Sequence, residues 1–199
     1  MSHSMKEELI ELVRACYPSR QSIGWTEDPE SHRGTPQGQR WEAAWDRAMD
    51  WRECDALIHA VQDAFPGHRA GRFMQPRMVA CLYCILVLEP FGPEHARTRT
   101  RIVGAISVLA PLYLVYVTTE PAGPARRPAP PARLSFVPQD AERPYTDALS
   151  RLIEQHLGYR PFPLELADVP LPDIRVEFLH KEPPTLLTAL FANYLENLP

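Results

Sequence analysis

Two apolar runs, Arg77–Leu88 and Ile102–Thr119, constrain this chain more than any other feature. In the first, Val79, Cys81, Tyr83, Ile85 and Val87 alternate with Met78, Ala80, Leu82, Cys84, Leu86 and Leu88. Successive strand side chains leave on opposite faces. A strand apolar at both parities is therefore covered on both sides and is central in its sheet. The second run contains Pro111, which has no N–H to give to a ladder. It reads as two strands, Arg101–Leu109 and Leu112–Thr119, bent at Ala110–Pro111.

Ile102–Thr119 carries no charge over 18 residues, the minimum for a membrane-spanning helix. Pro111 interrupts it, Thr118 and Thr119 end it, and its β-branched and tyrosine content suits strands. No second span flanked by Lys and Arg accompanies it, so the strand reading is preferred and no membrane partner is expected.

At 199 residues the chain has enough length for one domain with a full core. The net charge of -4 offers no basic footprint, so no nucleic acid partner is expected. The 22 prolines are about twice the usual share and concentrate in connections. The first seven residues lack the apolar stretch of a signal peptide. Cys16, Cys54, Cys81 and Cys84 sit in apolar surroundings and suggest no disulfide framework, so reduced thiols and a cytoplasmic location are expected. Cys81 and Cys84 are spaced as a C-x-x-C, but on a strand they point to opposite faces and read as small buried residues.

Ser4 and Glu7 form a capping box ahead of Leu9, Leu12, Val13 and Cys16, and Pro18 stops that helix. Residues 19–38 are polar, rich in Gly and Pro, and read as a flexible loop with Trp25 embedded in it. Trp25 either pins the loop to the body or anchors a partner, and the pinned reading is favoured. A single long helix is expected from about 39 to 65, with Trp41, Ala44, Ala48, Trp51, Cys54, Ile58, Val61 and Phe65 as one stripe. Residues 120–131 form a Pro-rich excursion. Leu134–Val137 reads as a short strand and Ile174–Leu179 as a possible edge strand. A helix starts at Pro144 and closes at Gly158, and a last one follows Pro183-Pro184. The whole reads as one α+β domain, residues 1–199, with a mainly antiparallel central sheet under about four helices.

Chemistry is sparse. Asp55, His59 and Asp63 lie at i, i+4 and i+8 on one helix flank, a spacing that suits two ligands of a divalent ion. A second ligand cluster is missing, and a solvated face is the preferred reading. Glu42, Asp46, Asp50 and Glu53 make an acidic ridge on the same helix, partly offset by Arg40, Arg47 and Arg52. The ridge is either an ordinary solvated face, which is preferred, or the contact for a basic partner. His32, His68 and His95 lie in loops near arginines, where surface positions are commoner than phosphate sites. No nucleophile elbow, P-loop or dinucleotide fingerprint occurs, and no cofactor is expected.

The stretch Leu152–Phe191 contains Gly158-Tyr159, Pro163-Leu164-Glu165-Leu166 and Val169-Pro170-Leu171-Pro172-Asp173-Ile174. It then runs through Pro184-Thr185-Leu186-Leu187 to Leu190-Phe191. It resembles the closing segment of bacterial polymorphic-toxin immunity proteins, over about 40 of the 199 residues. The resemblance implies a small cytoplasmic protein that binds and neutralises a cognate protein toxin without catalytic residues. Trp25, Glu42, Asp46, Asp50 and Glu53 are then the candidate partner-binding residues. Two alternatives stay open: a metal-dependent hydrolase using Asp55, His59 and Asp63, and a non-catalytic scaffold or accessory subunit. Oligomeric state is not legible.

Overall fold

The computed structural model describes residues 4–20, 34–88, 98–121, 132–176, 183–196 and 198. Its centre is a mostly antiparallel sheet. The strands are β1 Arg69–Met74, β2 Cys81–Leu88, β3 Thr98–Ser107, β4 Leu112–Pro121, β5 Arg133–Ser135 and β6 Arg160–Pro161. The order is β1-β2-β3-β4-β5, and β6 pairs in parallel with the start of β4. The register sets Cys84 opposite Gly104 and Gly104 opposite Val115.

β2 is buried along nearly its whole length, β3 from Arg101 to Ser107 and β4 over most of Leu112–Thr118, as expected for strands covered on both sides. Cys81, Tyr83, Val103, Ala105, Leu114 and Tyr116 enter one core. Leu82, Cys84, Leu86, Ile102, Ile106 and Val117 enter the other. Cys81 and Cys84 thus belong to opposite faces, and burial pushes both thiols up to about 12. The bend at Pro111 is present too. Ser107 Oγ accepts from the amides of Leu109 and Ala110 at 3.3 Å each, which fixes the turn between β3 and β4.

The first face is covered by α1 Met5–Cys16, α2 Pro36–Met49 and the short α5 Leu186–Leu190. The second is covered by α3 Arg52–Ala64 and α4 Arg143–Leu157. Ser4 and Glu7 make the reciprocal capping box that starts α1. Gly158 closes α4 in the left-handed region at φ 66, where a side chain would be strained. Among the described residues, no helix is long and apolar enough to cross a membrane.

Several expectations are corrected. The single helix over 39–65 is two helices, interrupted at Asp50 and Trp51 with φ/ψ of -99/22 and -82/89. The apolar stripe runs unbroken through the sequence, but its halves serve different cores. Trp41, Trp45 and Ala48 pack on the first face, and Cys54, Leu57, Ile58 and Val61 on the second. A straight helix cannot reach both sides of a sheet, so the chain turns at Asp50–Trp51. The covering helices therefore number five among the described residues, not four.

Arg77–Ala80 form the turn before β2 rather than its first residues, and β1 was not expected as a strand. The short strand expected at Leu134–Val137 is Arg133–Ser135. Ile174 makes one isolated bridge, to Ser19, and Arg175–Val176 continue no strand; 177–179 lie outside the described residues. The last helix spans Leu186–Leu190 only, capped by Thr185 and Thr188. The expected loop over 19–38 is shortened because Thr35 caps α2 and Pro36 opens it. Trp25 lies outside the described residues, as do 122–131 of the Pro-rich excursion, while β4 continues through Pro121.

Candidate binding cleft

The turn between α2 and α3 does more than carry the chain across the sheet. Trp51 is half-buried and packs against both cores. Beside it is a cleft of about 450 Å³. One flank of α2 supplies Ala44, Ala48 and Arg47; the two alanines, one turn apart, leave the room that a larger side chain would fill. The first turn of α3 supplies Glu53. Val108 comes from the β3–β4 turn, where its amide donates to the Ala80 carbonyl at 2.8 Å. The end of α4 brings His156 and Leu157, and Tyr159 follows just past Gly158.

The Trp51 and Tyr159 rings meet with centroids 5.4 Å apart and planes tilted by 48°, making one aromatic wall. Burial pushes the Tyr159 phenol up to about 12, opposed by the nearby Arg47 guanidinium, so the hydroxyl keeps its proton at neutral pH. Among the described residues, the side chains of Arg47, Glu53 and His156 make no hydrogen bond or ion pair.

The acidic ridge is not a continuous line. Arg77, from the turn before β2 and at φ 64, reaches α2 and pairs with both Glu42 and Asp46, the latter at 3.1 Å. The compensating cation is thus remote in sequence. Of the arginines expected to offset the ridge, Arg40 instead donates to the Ala15 carbonyl at 3.1 Å. Asp50 sits at the C-cap of α2, exposed, and Glu53 is exposed on the next helix at the cleft. Met49 beside them is 48% exposed.

Asp55, His59 and Asp63 lie exposed on α3 as expected. Asp55 Oδ1 is 2.8 Å from Arg72 Nη1 of β1, so a guanidinium already occupies that carboxylate. Among the described residues, no group of three or more His, Cys, Asp or Glu is arranged to hold a metal ion.

The cleft residues Arg47, Val108, His156, Leu157 and Tyr159 were not picked out by sequence reasoning. They are spread over more than half the chain and share no spacing; only the fold assembles them. No family model matches the chain, and neither a curated protein nor a solved structure matches it.

Proposed function

We propose that this chain is a binding protein, and most concretely an immunity protein that neutralises a cognate toxin in the cytoplasm by direct contact. The observation that carries the reading is the corner between α2 and α3. There Met49 is exposed, and Asp50 and Glu53 flank it without a hydrogen bond or ion pair among the described residues. Charged groups at an exposed corner suit the polar rim of a protein interface. Rim charges that are not engaged within the chain can steer an oppositely charged partner, so the partner is a basic protein surface. Glu42 and Asp46, held by Arg77, contribute less to this field than sequence alone suggests. The resemblance of Leu152–Phe191 to immunity proteins supports a toxin as the class of partner.

Capture of the tagged chain from its native host at low salt, followed by mass measurement of the intact complex, tests this. The expected result is a one-to-one complex with a basic toxin domain. Recovery of a multi-subunit assembly without such a domain, or of the chain alone while its toxin-bearing neighbour is expressed, overturns it.

A further inference from the structure

We propose that the cleft beside Trp51 binds a free amino acid as its zwitterion, with the ligand carboxylate on Arg47, its ammonium on Glu53 and an apolar or aromatic side chain against the Trp51–Tyr159 wall. The proposal stands apart from the toxin reading and does not depend on it.

The argument starts from charge. Arg47 and Glu53 are of opposite sign and line the same cleft, yet neither is engaged by a hydrogen bond or ion pair among the described residues. Elsewhere on α2 and α3 such groups do find partners: Arg77 takes Glu42 and Asp46, and Arg72 takes Asp55. The cleft therefore presents two separate poles. A simple anion gains at Arg47 but is repelled by Glu53, and a simple cation meets the reverse. A ligand carrying both charges satisfies both poles.

Size agrees, and the lining is mixed. A volume of about 450 Å³ lies within the range of small-molecule sites, and the lining divides about evenly between polar and apolar surface, as suits a small zwitterion with an apolar side chain. Val108, Leu157 and the aromatic wall offer apolar surface for a side chain, and Ala44 and Ala48 leave space for it. The protonated Tyr159 hydroxyl is a further donor for a carboxylate near Arg47.

Titration of the whole chain with L-phenylalanine, followed by backbone amide chemical shifts, tests the proposal. Two analogues each remove one charge: 3-phenylpropionate lacks the ammonium and 2-phenylethylamine lacks the carboxylate. The expected result is saturable shifts confined to the cleft, with a Kd of about a millimolar or tighter for a ligand of this size. Each analogue should bind more weakly by about tenfold, the worth of one charge-assisted contact. Arg47→Gln should weaken phenylalanine and phenylpropionate but not the amine, and Glu53→Gln should weaken phenylalanine and the amine but not phenylpropionate. Both side chains are exposed, so the remaining amide shifts will report an intact fold. The proposal is overturned if phenylalanine gives no saturable shift at the cleft up to its solubility limit. It is overturned equally if either analogue binds within about threefold of phenylalanine, which leaves less than half the worth of a charge-assisted contact.

Discussion

Trp51 and Tyr159 touch ring to ring, 5.4 Å between centroids, and so tie the corner between α2 and α3 to the residue that follows the C-cap of α4. The contact joins segments more than 100 positions apart, and both rings line the cleft. Trp51→Ala should destabilise the chain by about 2 kcal/mol, less than the loss of a fully buried aromatic because Trp51 is only half-buried. Tyr159→Phe keeps the ring and should change stability by under about 0.5 kcal/mol, since no hydrogen bond to its hydroxyl occurs among the described residues. Tyr17→Phe is the contrast. Its hydroxyl donates to the buried Ala189 carbonyl at 2.8 Å, and losing that bond should cost about 1–2 kcal/mol. Urea unfolding of the three variants checks the ranking.

Gly104 of β3 packs against Ile153 of α4. A Cβ built on Gly104 would lie 2.8 Å from Ile153 Cδ1, and Ile153 is fully buried. Alanine at 104 improves strand propensity slightly but forces the isoleucine to move within a filled core. Overpacking of this kind costs about 1–3 kcal/mol, which outweighs the gain of under about 1 kcal/mol from replacing glycine. Ile153→Val removes the clashing methyl. The double variant Gly104→Ala/Ile153→Val should therefore be more stable than the sum of the two single losses predicts. Strictly additive losses in chemical denaturation would show that the clash is absorbed elsewhere.

The Arg14–Asp173 pair joins α1 to the segment ahead of α5 at 2.7 Å. The hydrogen bond from Arg14 holds the Asp173 carboxyl below its ordinary value. A carboxyl lowered in the folded state binds its proton less readily there than in the unfolded chain. Its contribution is thus complete above the unfolded value of about 3.9 and is lost as pH falls through the lowered folded value. Both side chains are about half exposed, so solvent screening keeps the effect to under about 1 kcal/mol. Asp173→Asn should lower the melting temperature slightly at pH 7, and the difference should shrink as pH falls below about 3.9. A deficit that persists at low pH would assign the effect to packing instead.

Much of the sheet was legible because burial on both faces leaves its mark along β2, the second half of β3 and the first half of β4. Pro111 marked the bend, and Ser4 with Glu7 marked the start of α1. The interruption at Asp50–Trp51 was not legible, because a helical stripe continues across it without a missed beat. What changes there is which face of the sheet receives the stripe, and periodicity carries no information about that. β1 was missed because Arg69, Gly71 and Arg72 give it no alternation, and its pairing is set by β2. Among the candidate partner residues, Glu42 and Asp46 looked no different from Asp50 and Glu53. Their distinction depends on Arg77, whose reach across from the turn before β2 is a tertiary fact.

The central claim is that the corner at Asp50 and Glu53 receives a basic protein partner. The most direct measurement is the association rate of the captured partner with the native chain and with Asp50→Lys/Glu53→Lys, across a series of ionic strengths. Steering by exposed charge acts on the on-rate and is screened by salt. The account predicts that the double reversal slows association several-fold at low salt and flattens the salt dependence, with the circular dichroism spectrum unchanged. Equal on-rates and equal salt dependence for the two proteins would contradict it.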